Sequence, residues 1–397
     1  MNVLFLDWNG YGNEDMKETF IRLGHNVQIC PFPDAIRTGQ KEADKLLRGH
    51  LQKGENDFVF SFNYFPVVSV LCQEFQIPYI SWVYDSPYIH VYSYTVLNSC
   101  NYIFLFDYAI YEELRNEGIS TVYYLPMAVN EHRLEKLDNT EIRERKYRAD
   151  IAFVGSLYDE TKHRLYDKFQ NINPFSKGYL DAIIQAQKKV YGYYFLKDLI
   201  TPEILEEMQR AYPSDPNANT VMTPEAIYAD YALARQVTAL ERQEILTLLG
   251  TACKERRIHL YTNNQQRQIP GVTNLGAVDY YREMPYVFLN SKINLNITLR
   301  SIKTGIPLRA FDIMGCGGFL LTNYQEELLQ YFEPDVDFVY YNDYGDLLEK
   351  VEYYLTHDRE RMEIAANGCE KVRTQHTMQK RLEAMAAVLN APEENRT

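Results

Sequence analysis

The chain has 397 residues, 46% of them hydrophobic and 24% charged, with a formal net charge of −13. That size leaves room for two substantial cores, and the composition excludes a largely disordered chain. The acidic balance also excludes a duplex nucleic-acid binder, whose affinity rests on lysine and arginine neutralising phosphates.

The chain opens on a strand-like apolar run, Val3 to Leu6, closed by Asp7 before a signal-peptide core can form. A turn-rich segment from Asn9 to Asn13 follows, then a helical pattern through Met16, Phe20 and Leu23, then a second strand from Asn26. Strands are predicted again at DFVFSF, IPYISWVYD, NYIFLFD and TVYYLPMAV, with helical segments such as PVVSVLCQEF and YAIYEELRNEG between them. Short apolar strands alternating with helices predict a parallel sheet covered on both faces.

A charged bridge, EHRLEKLDNTEIRERKYRAD, leads to the strand IAFVGS, where the pattern restarts. From about 157 to 250 the chain is polar and helix-rich, with PSDPNAN as a loop, and reads as a helical insertion. Alternation resumes at RIHLYTN, a turn at Pro270-Gly271, YYREMPYVFLNS, INLNITL, FLLTN, QEELLQYF, DFVYYN and YGDLLEKVEYYL; the end is a helix broken at Gly368. The expectation is α/β with two Rossmann-like doubly wound domains: 1–140 on the acceptor side, 150–375 on the nucleotide side, and a helix over 376–397 returning toward the first. Ligands of such sheets bind at the carboxyl ends of the strands, which places a cleft between the two domains.

The window GIPLRAFDIMGCGGFLL, from Gly305, follows the strand INLNITL. Pro307 reads as the first residue of a short helix that Gly317-Gly318 stop. Free amides at a helix start attract anions, Gly305 permits close backbone approach, and Lys303 and Arg309 add full positive charge, the arginine with a fork suited to phosphate. One turn deeper, Asp312 has the acceptor-only chemistry to hold a ribose diol. The alternative is that Arg309 and Asp312 pair with each other on a solvated helix face.

The run from Ser291 to Asn323, with SKINLNIT and GIPLRAFDIMGCGGFLLTN, and the later YYLTHDRERMEIAANGCEKVRTQHTMQKR resemble the carboxyl half of bacterial glycosyltransferases related to the spore maturation protein CgeB. Residues 57–130, with YISWVYDSP, FLFD and YYLPMAVN, are similar to the amino-terminal domain that accompanies it. The resemblance covers well over half the chain. It implies the GT-B fold, a nucleoside-diphosphate sugar donor, a UDP-sugar foremost, held by the second domain, and an acceptor glycan, protein or small molecule at the first. Retaining enzymes of the broader group carry two glutamates eight positions apart before an AMACG-like sequence. Here Asp312 stands at the second position and Thr304 at the first, and threonine cannot supply the same negative charge.

Other candidates follow from placement. In DWNGYGNED, the amides of Gly10 and Gly12 would meet an acceptor or diphosphate, or form only a strand-to-helix turn; the segment is not GxGxxG, which weakens a nicotinamide-dinucleotide reading. Asp85, after WVYD, is the preferred catalytic base if the reaction inverts, with Asp107 second; the alternative for Asp85 is a helix cap before Pro87. Gly155 would let the diphosphate approach, although the arginine that relatives place next is Ser156 here. Asn294 and Asn296 would reach the nucleotide or satisfy nearby loops. His90 follows the DSP loop toward the cleft, and His376 packs near the final helix.

The triplet Asp335-Val336-Asp337 precedes a strand instead of ending one, so no metal ligand is assigned there; the basic residues and helix amides meet the diphosphate charge. The six cysteines lack a CxxC and read as reduced, buried thiols. The expected protein is a cytoplasmic glycosyltransferase without nucleic-acid partner or integral membrane segment. A GT-B protein that binds a nucleotide sugar or a surface-assembly partner without turnover is the alternative, motivated by Thr304.

Overall fold

A computed structural model describes residues 1–37, 40–214 and 220–391. The chain splits into two compact units, one of Met1–Arg133, Asn219–Val221 and Arg373–Thr397, the other of Leu134–Ala218 and Met222–Val372.

The first unit holds β1 (Asn2–Asp7), β2 (Asn26–Pro31), β3 (Phe58–Phe62), β4 (Tyr79–Val83), β5 (Asn101–Leu105) and β6 (Val122–Tyr124) in the order β2-β1-β3-β4-β5-β6. All pairings are parallel, with Phe5 beside both Ile29 and Phe60. Every residue of β3, β4 and β5 is buried, as apolar runs without alternation require when helices cover both faces. The chain steps from β1 outward to β2 and returns on the other side at β3, so the strand order reverses between β1 and β3.

The helix Met378–Asn390 is built into this unit. Val129 and Thr377 form a parallel bridge, and Arg381 donates from Nε to the Pro126 carbonyl at 2.7 Å. Residues 392–397 of the expected final helix lie outside the described residues.

The second unit holds β7 (Ala149–Val154), β8 (Ile258–Tyr261), β9 (Thr273–Asn274), β10 (Ser291–Asn296), β11 (Leu320–Asn323) and β12 (Val339–Tyr341), parallel in the order β12-β11-β10-β7-β8-β9. Strand β9 has two residues, too few to show any alternation in the sequence. The order reverses between β7 and β10, whose carboxyl ends therefore flank this sheet's crevice.

Between β7 and β8 lie the helices Pro174–Lys188, Pro202–Ala211, Pro224–Tyr228 and Ala234–Ala252. The first three begin at an Asn173, Thr201 or Thr223 side-chain cap followed by proline, a pairing that satisfies one amide and dispenses with another. They close around a core of their own that includes Phe169, Leu180, Met208, Tyr228 and Val237. Residues 215–219 of the expected loop lie outside the described residues.

One expectation fails here. The helix Asp358–Gln375 runs through Gly368 unbroken, and the interruption falls at His376-Thr377. Gly368 is there for packing: a Cβ at that position would overlap the Asp337 carbonyl oxygen. Among the described residues, no helix is long and apolar enough to cross a membrane.

Candidate functional site

At the carboxyl end of β10 the chain runs through a loop into the helix Leu308–Gly315 and on to β11. Pro307 is not in the helix: with φ −64° and ψ 144° it is the extended residue just before it. Pro307, the residue before the helix, offers no side-chain cap, and the Ala310 amide donates to its carbonyl at 2.9 Å. At the other end Gly317, at φ 83°, donates to the Met314 carbonyl at 2.8 Å while Gly318 donates to Ile313 at 2.9 Å. That is the left-handed stop the glycine pair predicts.

Arg309 and Asp312 meet at 3.4 Å, but not on a solvated face: Asp312 is 5% exposed. Tyr280 donates its hydroxyl to Asp312 Oδ1 at 2.9 Å, and Arg309 also reaches the Met284 sulfur and lies over the Phe288 ring. Nothing in the sequence sets Tyr280 apart from the chain's many other tyrosines. The carboxylate is thereby fixed in direction, and the arginine stays half-buried in the first turn.

Thr304 donates from Oγ1 to Glu327 Oε1 at 2.8 Å, and Glu327 returns a backbone bond to the Thr304 carbonyl at 3.2 Å. Glu327 is fully buried. Gly305 is buried beside this contact, and Lys303 Nζ stands 5.9 Å from the Tyr194 ring centre. The asparagines of β10 serve the protein. Asn294 donates to the Phe288 carbonyl at 2.9 Å, and Asn296 to the hydroxyls of Thr298 and Thr322 at 3.1 and 2.9 Å. Both are buried.

At the neighbouring carboxyl end of β7, Ser156 donates to Glu160 and accepts from the Tyr158 amide, closing a tight turn after Gly155. Arg242, from the helix Ala234–Ala252, donates to the Ser156 and Ile297 carbonyls and so ties the ends of β7 and β10 together. Its signal was present in the sequence: an arginine on the stripe of Val237, Ile245 and Leu249, where an apolar residue is the norm. The preceding residue, Glu241, pairs with Arg300 through two bonds of 2.9 and 2.8 Å. Burial pulls the Arg300 proton affinity down, but the facing carboxylate outweighs it and the net direction is up.

In the first unit, Gly12 adopts φ 86° at the start of the helix Asn13–Arg22, and a Cβ on Gly10 would lie 2.6 Å from the Trp8 ring. Trp8 donates to the Phe62 carbonyl at 2.7 Å and stacks on Tyr84. Asn63, buried and at φ 57°, accepts from the amides of Tyr84 and Asp85 and donates to Asp85 Oδ2 at 2.8 Å. Asp85 is thus exposed, oriented by Asn63, and caps no helix: the turn Ile89–Tyr92 begins after Tyr88. Asp107 is buried and caps the helix Tyr108–Asn116 through the Ala109 amide at 3.2 Å.

His90 is exposed against the Tyr88 ring, and buried His376 faces Arg381 at 2.7 Å. Asp337 accepts from Lys371 at 2.7 Å. Among the described residues, no group of three or more His, Cys, Asp or Glu is arranged to hold a metal ion.

Two parallel, doubly wound α/β units in one chain define the GT-B fold, and solved structures of that architecture align along the whole chain. Sucrose-phosphate synthase of Thermosynechococcus elongatus superposes with a TM-score of 0.59 at 10% identity, over 98% of this chain and 99% of that one. Anabaena Alr3699/HepE in complex with UDP-glucose gives 0.55 at 11% identity over 98% and 99%. A glycosyltransferase from Rickettsia africae gives 0.52 at 10% over the same shares. Residues 235–387 match the family described as glycosyl transferase-like, which spans the window around Arg309. A curated potassium-transporting ATPase subunit of Listeria innocua is 36% identical over 73 residues, 18% of this chain; the chain spans only 10% of that protein's length.

Proposed function

We propose that the protein is a glycosyltransferase of the kind related to CgeB, moving a sugar from a nucleoside-diphosphate donor to an acceptor hydroxyl. The observation that carries this is the uncapped start of the helix Leu308–Gly315, with Arg309 in its first turn, at the carboxyl end of the strand where the second sheet reverses its order. Helix amides and a guanidinium there suit a diphosphate. The complex of Alr3699/HepE with UDP-glucose, on the same fold, makes a UDP-sugar the first donor to try.

In this reaction the bond from the anomeric carbon to the β-phosphate oxygen breaks, and the electron pair leaves with the nucleoside diphosphate. The acceptor oxygen bonds the anomeric carbon and gives up its proton. Asp85 is the candidate base, since it is exposed and held in one orientation by Asn63. Arg309 and the helix amides stabilise the charge that grows on the leaving diphosphate. Asp312, aligned by Tyr280, is the candidate partner of the donor's ribose.

The test is turnover. Purified protein incubated with UDP-, GDP- and dTDP-sugars and a panel of glycan and small-molecule acceptors should release nucleoside diphosphate in step with a glycosylated product. Tight nucleotide-sugar binding without any release would favour a binding protein instead.

A further inference from the structure

We infer that Arg242 is a second phosphate-binding cation of the donor site, acting with Arg309. This rests on the donor reading above and names a residue that reading does not contain.

The first observation is an uncompensated charge. Arg242 is 8% exposed, and among the described residues no carboxylate lies within ion-pair distance of it. Its partners are backbone carbonyls, those of Ser156 and Ile297, and its guanidinium lies over the rings of Phe153 and Tyr158 at 5.3 and 4.9 Å. The contrast with Arg300, buried equally but held by both oxygens of Glu241, is direct. A buried ion without a counter-ion is costly, and its retention asks for an anion that arrives from outside.

The second observation is place. The two carbonyls end β7 and β10, the strands between which the sheet order reverses. Gly155 lies against this guanidinium: a Cβ there would stand 3.3 Å from the Phe153 ring and 3.6 Å from Arg242 Nη1. The carbonyls engage Nε, Nη1 and Nη2 once each, leaving one N–H on each terminal nitrogen, the fork that two phosphate oxygens match.

The experiment measures binding of UDP, GDP, uridine, guanosine and inorganic pyrophosphate by titration calorimetry with wild type, R242Q and R242K. The expected result is a loss of about ten- to a hundredfold in nucleoside-diphosphate and pyrophosphate affinity in R242Q, partly restored in R242K, with nucleoside affinity unchanged. A folded R242Q that binds diphosphates as wild type does, or that loses nucleoside affinity equally, overturns the inference. If R242Q does not fold, a wild-type structure with UDP decides: phosphate oxygens within hydrogen-bond reach of Nη1 or Nη2 support it, and phosphates elsewhere overturn it. Pyrophosphate binding that needs Arg242, without any nucleotide binding, would sink the donor reading and leave the anion site standing.

Discussion

Thr304 Oγ1 lies 2.8 Å from Glu327 Oε1, so the threonine at the position where the resemblance implies a glutamate donates to a glutamate from the next loop. A carboxyl group does stand in this corner of the second unit. It enters from the segment after β11, fully buried, and is linked to Thr304 by a backbone bond as well.

Restoring a glutamate at 304 therefore does harm. Thr304→Glu would set two carboxylates against each other in a buried setting, where one must stay protonated or move. We expect a loss of about 1–3 kcal/mol, read from urea unfolding, and partial recovery in Thr304→Glu combined with Glu327→Gln. A Thr304→Glu protein as stable as wild type would show that the two side chains do not face each other.

Asp85→Asn tests the base. The amide keeps the shape but not the basicity, and Asn63 can still donate to its oxygen. Turnover should fall by about a hundred- to ten-thousandfold while nucleotide affinity stays put. An undiminished rate would remove Asp85 from the chemistry.

Much of this was legible in the sequence, and the failures have physical causes. The apolar runs of β3 to β5 and the glycine stop at Gly317-Gly318 could be read directly, because burial and a positive φ each leave a local mark. Gly368 could not: a glycine inside a helix looks like a break unless one sees the Asp337 carbonyl packed against it. Pro307 suited the first turn by its φ, but its extended ψ, which no residue type announces, puts it one place earlier. Arg309, Asp312 and Thr304 stand in one stretch of the sequence, whereas Tyr280, Glu327 and Arg242 meet this end of the second sheet, and Asn63 meets Asp85 in the first unit, only through tertiary contacts.

Gly368→Ala should destabilise by about 1–3 kcal/mol through overpacking, despite alanine's better helix propensity. Thermal unfolding checks the sign. An increase in stability would mean that the turn around Asp337 yields freely.

Asp7 gives a pH signature. Burial pushes its carboxyl up, but hydrogen bonds from Lys17 at 2.9 Å, the Asn9 amide and Asn13 outweigh that and hold it below the usual range. A depressed acid lends stability above its unfolded pKa and loses it as pH falls through the folded one. Asp7→Asn should thus be less stable than wild type at pH 7, with the gap narrowing below about pH 4 in denaturant titrations. A gap independent of pH would assign the effect to packing.

If the helix start at Leu308 receives the donor's diphosphate, a titration of wild type and Arg309→Ala with UDP, GDP and dTDP shows it. At least one nucleotide binds wild type and binds Arg309→Ala about tenfold or more weakly. Equal affinities for the two proteins, or no binding of any nucleotide to wild type, would remove the diphosphate from this helix start.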